Sequence, residues 1–207
     1  MKSASQALEA LKAGNLRFFQ GRPRERLRDR DSLRQELLEG QAPFATILGC
    51  SDSRVPAEMV FDQDLGDLFV IRVAGNVVAR SQIGSVEFAS EFFKTRLVVV
   101  LGHSLCGAVQ ATLERHQGGL QARSQNLDAI VNRISPVVTS LLDSDLARDP
   151  ARLMQAAVRA NIGASVQRLK QGSPFLESLV EAGELLITGA EYSLETGKVE
   201  FFDDQAL

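Results

Sequence analysis

The sequence predicts an α/β protein with a central, mostly parallel sheet flanked by helices. Three observations carry the prediction. Short apolar runs at residues 44–48, 68–73 and 96–101 have the length and flanking residues of buried strands. Stretches with apolar residues at helical spacing lie between them. The resulting order of strand, helix, strand, helix, strand calls for parallel pairing through right-handed crossovers.

Residues 4–19 place Ala7, Leu8, Leu11, Leu16 and Phe19 near helical spacing, and Gly21 and Pro23 end the pattern. A helix with one apolar face follows, able to cover the core of its own subunit or of a neighbour. The run at 44–49 lies between Pro43 and Cys50, which suits a buried strand. Val55-Pro56-Ala57-Glu58 offers proline where a first helical turn tolerates it, so a short helix is expected after Cys50. Residues 68–73 form the next strand, closed by Ala74-Gly75-Asn76. Ile83, Val86, Phe88, Ala89, Phe92 and Phe93 mark a helix over 81–95, and Val98-Val99-Val100 marks the third strand. Helical patterns then cover 104–116, 126–142 and 149–170, with Asp149-Pro150 as cap and first turn of the last. Ser173-Pro174 starts a short helix, 185–188 reads as a fourth strand, and 190–194 with 198–202 reads as a closing hairpin. Without a linker, repeat or low-complexity tract, a single domain over 1–207 is expected.

Composition narrows the function. A length of 207 residues suffices to bury a core without disulfides, and 44% hydrophobic and 24% charged residues are ordinary for a globular protein. The net charge of −3 gives no reason to expect nucleic acid. The Arg-rich patch over 22–34 is offset by Glu25, Asp29, Asp31 and Glu36, as in a solvated, charge-laced helix or loop. With no apolar run of signal-peptide or membrane-span length, a cytoplasmic location without membrane attachment is expected.

The chemistry concentrates in two stretches, Gly49-Cys50-Ser51-Asp52-Ser53-Arg54 and Gly102-His103-Ser104-Leu105-Cys106-Gly107. They contain both cysteines and one of the two histidines, each just after a predicted strand. Open parallel sheets bind ligands at the carboxyl ends of their strands. Cys50 and Asp52, two apart, can face one point from an extended loop. His103 and Cys106, three apart, would share one side of a first helical turn. Thiolates and imidazole suit zinc better than magnesium or calcium, and in a reducing compartment such a pair of cysteines is more often metal-binding or catalytic than disulfide-bonded. Leu101-Gly-His-Ser-Leu-Cys-Gly107 also resembles the turn that presents a hydrolase serine. It has Cys106 where Gly-x-Ser-x-Gly requires glycine, and the one histidine that follows, His116, with Glu114 as the acid before it, lies within the same predicted helix.

Cys50-Ser-Asp-Ser-Arg-Val-Pro-Ala-Glu58, Phe69-Val-Ile-Arg-Val-Ala-Gly-Asn76, Gly84-Ser-Val-Glu-Phe-Ala89 and Val100-Leu-Gly-His-Ser-Leu-Cys-Gly-Ala108 resemble, in order, the motifs of the β-class carbonic anhydrases. The resemblance implies that Cys50, His103 and Cys106 bind Zn2+ and that hydroxide on the zinc attacks CO2 to give bicarbonate. Asp52 would accept a hydrogen bond from that hydroxide, and Arg54 would hold the Asp52 carboxylate off the metal. In a closed state Asp52 would itself bind zinc; the open form is the one expected here. Phe69, Phe88 and Val73 would form an apolar slot for CO2, with Gln63 and Gly107 beside the substrate. Family slots are built across a subunit interface. The expected assembly is therefore at least a homodimer, with the N-terminal helix extending onto the neighbouring subunit and dimers able to pair into a homotetramer. A noncatalytic zinc- or bicarbonate-binding module, and a hydrolase of carbonyl sulfide or carbon disulfide, are the alternative readings.

Overall fold

Ser3 and Gln6 close a reciprocal capping box at the start of α1 (Ala4–Phe19), each side chain accepting from the other's backbone N–H. The computed structural model describes residues 2–24, 29–119 and 124–202. α1 is followed by α2 (Arg30–Glu36), β1 (Ala45–Gly49), α3 (Ala57–Val60), β2 (Leu68–Arg72), α4 (Arg80–Phe92) and β3 (Leu97–His103). The chain continues through α5 (Gly107–His116), α6 (Gln125–Leu142), α7 (Pro150–Gln171), α8 (Pro174–Glu181), β4 (Leu186–Tyr192) and β5 (Val199–Phe201).

The strands form one sheet in the order β2-β1-β3-β4-β5, parallel except for the β4–β5 pair. β1 and β3 are buried along their whole length because helices cover both faces, which is why they read as unbroken apolar runs. On one face Leu48, Val98, Val100 and Ile187 pack with residues of α5, α6 and α7. On the other, Ile47, Val99 and Leu101 pack with Leu11, Val60 and Phe61. The chain leaves β1 for β2 on one side and returns to β3 on the other, so the β1–β3 junction is a topological switch point, where a crevice opens at the strand ends.

α1 lies on its own chain's sheet through Ala7, Leu11, Gly14 and Asn15. Asn15 Nδ2 donates to Val60 O at 3.1 Å and to Gly197 O at 3.0 Å, and Asn15 Oδ1 accepts from Val199 N at 2.8 Å. One buried amide thus ties α1 to α3 and to the β4–β5 hairpin. Gly14 permits that approach: a Cβ there would sit 1.8 Å from Phe61 O. Gly14→Ala is expected to cost about 1–3 kcal/mol, since neither helix can yield without losing the Asn15 bonds; a thermal midpoint equal to wild type would contradict it.

Several boundaries differ from the sequence expectation. β3 extends to His103 because Gly102 and His103 keep pairing with Glu191 and Tyr192. β4 runs unbroken through Gly189, which pairs with Val100, so the expected fourth strand and first hairpin arm are one element. Pro56 is the N-cap of α3 rather than a residue of its first turn. In the basic patch, Asp29 caps α2, Arg34 pairs with Asp31, and Arg24 reaches Asp62 and Asp67 at 3.8 and 3.5 Å. Residues 25–28, Glu25 among them, lie outside the described residues. No helix among the described residues is long and apolar enough to cross a membrane.

Candidate metal centre

Cys50 follows β1 directly, and His103 is the last residue of β3, the neighbouring strand. Their register brings the two sequence stretches out of the sheet side by side. Cys106 arrives by a different route from the one its spacing suggests. α5 starts only at Gly107, with Cys106 as its N-cap in extended conformation (φ −67°, ψ 118°). Leu105, left-handed at φ 55°, folds the chain back so that Cys106 returns beside His103. The ligand atoms of Cys50, His103 and Cys106 lie within 4.8 Å of one another, and all three residues are buried.

Electrostatics favour a cation at that point. His103 Nδ1 sits 2.9 Å from Ser104 O, so this nitrogen carries the proton and Nε2 keeps its lone pair. His103 Nε2 is buried and has no hydrogen-bond partner, an arrangement that is costly unless something accepts that lone pair. The Cys106 thiol facing Cys50 holds the Cys50 pKa well below the usual thiol range, and Gly75 N–H adds a hydrogen bond to its sulfur at 3.3 Å. Cys106 is pushed the opposite way by the Cys50 thiolate and by burial, while the N–H groups of Ala108 and Val109 at the start of α5 partly offset this. The pair therefore holds one proton between two sulfurs, and a metal cation can take the place of that proton. Two soft sulfurs and an imidazole nitrogen without a partner, converging on one point, fit a metal ion.

Asp52 stands beside this group and is held away from it. Arg54 Nε and Nη2 donate to its two carboxylate oxygens at 2.9 and 2.7 Å, and Arg54 N donates to Oδ1 at 3.0 Å. Asp52 Oδ2 lies 3.8 Å from His103 Nε2. The guanidinium holds the Asp52 carboxyl far below the ordinary carboxylate range. With the folded pKa depressed, the pair's contribution to stability is complete above the unfolded value of about 3.9 and is lost as pH falls through the lower folded value. Asp52 is therefore expected to stay ionised throughout the neutral and mildly acidic range; carboxyl-carbon NMR showing an ordinary aspartate titration would contradict this.

The backbone of the loop is clamped from β2. Arg72 Nε donates to Cys50 O at 3.1 Å, and Arg72 Nη2 donates to Asp52 O at 2.6 Å. Val73, the next residue, donates to Gly49 O at 3.1 Å. Of the expected slot residues, Val73 and Gly107 therefore lie at the metal end of the sheet. Phe69 pairs with Thr46, four residues before Cys50, about 13 Å along the strand at ~3.3 Å per residue. Its ring joins Phe88 at 6.2 Å and Phe93 at 5.7 Å, with Phe88 and Phe92 45% and 67% exposed. Gln63 is turned toward α1, donating to Phe61 O at 2.6 Å. Within one chain these three residues do not gather at the metal-binding group. His116, the other histidine, ends α5 with Nε2 3.0 Å from Ser135 Oγ.

The support that Arg72 and Gly75 give the cysteine loop is not evident from the sequence. The available signal was an arginine and a glycine closing a strand next to the motif-bearing one.

The carbonic anhydrase family model matches residues 45–199, the span from β1 to the start of β5. A carbonic anhydrase of Mycolicibacterium smegmatis is 38% identical over 194 residues, covering 94% of this chain and 91% of its own length. Carbonic anhydrase 2 of Mycobacterium tuberculosis is 39% identical over 197 residues, covering 95% and 92%. Among solved structures, the β-carbonic anhydrase CcaA superposes with a TM-score of 0.77 at 26% identity over 96% of this chain and 87% of its own. Sequence family, fold and the convergence of the two cysteines with His103 at the β1–β3 switch point agree, and the chain belongs to the β-class carbonic anhydrases.

Proposed function

We propose that the chain, as a single domain over 1–207, catalyses the reversible hydration of CO2 to bicarbonate and a proton with one zinc ion held by Cys50, His103 and Cys106. The observation that carries this reading is the Asp52 carboxylate, forked on Arg54 and poised 3.8 Å from the unpartnered His103 Nε2. A site built only for structure would close its fourth position with a further ligand; this one holds the nearest carboxylate away. Zinc, when bound, supplies the Lewis acidity that makes a hydroxide nucleophile available near neutral pH.

The chain's own residues then have distinct tasks. Asp52, ionised and with lone pairs to spare, accepts a proton-borne hydrogen bond from the attacking oxygen and orients it toward the CO2 carbon. Arg54 keeps Asp52 in that role. The bond to Ser104 O fixes the His103 tautomer, and the Gly75 N–H and the α5 N-terminus draw negative charge from the two sulfurs. This last effect matters because two thiolates donate more charge than two imidazoles and would otherwise weaken the metal's acidity. Val73 and Gly107 line the metal end of an apolar slot.

Gln63, Phe69 and Phe88 enter the slot from a neighbouring copy, which makes a homodimer the smallest working unit, with α1 reaching onto that neighbour. The exposed Phe88 and Phe92, and Leu16 and Phe19 on α1 at 52% and 40% exposure, support such an interface. Dimers pairing into tetramers, and a cytoplasmic setting that keeps Cys50 and Cys106 reduced, complete the reading. Stopped-flow CO2 hydration together with metal analysis tests it: zinc near one per chain with rapid turnover is expected, and zinc without turnover would leave only a binding module. Sulfide release from carbonyl sulfide is expected to be slow beside CO2 hydration. A monomer by light scattering that still turned over CO2 would contradict the shared slot.

A further inference from the structure

Asn161 lies midway along α7, 2% exposed, and the chemistry above does not use it. A buried amide costs stability unless its hydrogen bonds are made. Asn161 Nδ2 donates to the Gly75 carbonyl at 2.8 Å. One helical turn further, Ser165 Oγ donates to the next carbonyl, Asn76 O, at 3.0 Å. The two bonds grip the turn Ala74–Asn76, in which both Gly75 (φ 69°) and Asn76 (φ 45°) are left-handed. Gly75 is also the residue whose N–H reaches Cys50 Sγ at 3.3 Å. Its surroundings leave no slack, because a Cβ at Gly75 would lie 2.9 Å from Ile134 Cδ1 and 3.0 Å from Ala108 Cβ.

We propose that Asn161 is a positioning residue for the metal centre: its bond to the Gly75 carbonyl aims the Gly75 N–H at the Cys50 sulfur and so sets the donor strength of that ligand. The N–H and the carbonyl of Gly75 belong to the two peptide planes that meet at its Cα. Glycine has no side chain to restrict how those planes turn; the plane of the Gly75 carbonyl is held within the turn by Asn76 N donating to Val73 O at 3.0 Å and from outside by Asn161. With that plane held on both sides and Gly75 kept left-handed (φ 69°) between Ile134 and Ala108, the other plane points its N–H at the Cys50 sulfur. An N–H directed at a thiolate withdraws charge from it; without that bond Cys50 donates more strongly and orients less well. Partners at one remove from a metal ligand commonly act in this way.

The proposal rests on reading Cys50 as a zinc ligand, and the test separates the two. Asn161→Leu and Asn161→Ala remove the donor. Arg159→Ala, also on α7, removes ion pairs to Glu191 at 3.2 Å and Glu200 at 2.9 Å and serves as the control for destabilising that helix. The readouts are zinc affinity by chelator competition and the thiolate charge-transfer band of cobalt(II)-substituted protein. Both Asn161 variants are expected to bind zinc about 10-fold or more weakly and to shift the band to lower energy. Arg159→Ala is expected to lower the melting temperature and move neither. Asn161 variants with wild-type zinc affinity and an unshifted band would overturn the proposal. Wild-type protein loaded with cadmium-113 gives a test that needs no variant. The Gly75 amide proton is expected to couple to the metal across Cys50 Sγ, and absence of that coupling would also overturn it. A wild type that binds neither zinc nor cobalt refutes the zinc reading itself.

Discussion

Arg54→Ala is expected to fold, keep its metal and lose at least about 100-fold in the rate of CO2 hydration. The variant removes the two side-chain bonds to Asp52, at 2.9 and 2.7 Å, and leaves only the backbone bond from residue 54 at 3.0 Å. One backbone N–H cannot anchor a carboxylate against a nearby cation. Asp52 Oδ2, already 3.8 Å from His103 Nε2, would turn onto the metal and close the position that water must occupy. Arg54→Lys should recover little, because an ammonium cannot present two parallel donors to both oxygens. Stopped-flow rates beside metal content decide the matter. Full activity in Arg54→Ala would remove the pair from the mechanism.

Cys106→Ala should have the larger effect, reducing turnover to the uncatalysed background through loss of zinc. The deletion leaves two protein ligands and a buried His103 Nε2 with no remedy for its unsatisfied lone pair. Wild type at free zinc about 1,000 times the dissociation constant gains roughly 4 kcal/mol from binding, lost on chelation. The variant's melting temperature should not respond to zinc or to chelator. A zinc-dependent rise of wild-type size in Cys106→Ala would mean that the ion sits elsewhere.

How far these features could be read in the sequence depended on how far apart in the chain the interacting groups lie. β1 and β3 announced themselves because burial on both faces leaves only apolar residues, and the cysteines and His103 followed them directly. Local spacing misled at Cys106: three residues suggested a helical turn, but strand pairing with β4 carried His103 into the sheet and postponed the helix. Gly189 looked like a break and proved to be an ordinary pairing position. The Arg72 clamp bridges 22 residues and the Asn161 bond 86, so neither leaves a local pattern. Gln63, Phe69 and Phe88 illustrate a different limit, since the fold of one chain leaves them away from the metal-binding group.

Asn15 has a consequence for how the protein is made. Its partners at Gly197 and Val199 are 182 and 184 positions later in the chain. During synthesis α1 leaves the ribosome long before the hairpin that satisfies its buried amide exists. Until then Leu11 and its neighbours have only part of their cover, and the half-made sheet has an open edge at β3. Final docking of α1 therefore waits for the β4–β5 hairpin, a contact of long sequence separation that forms late.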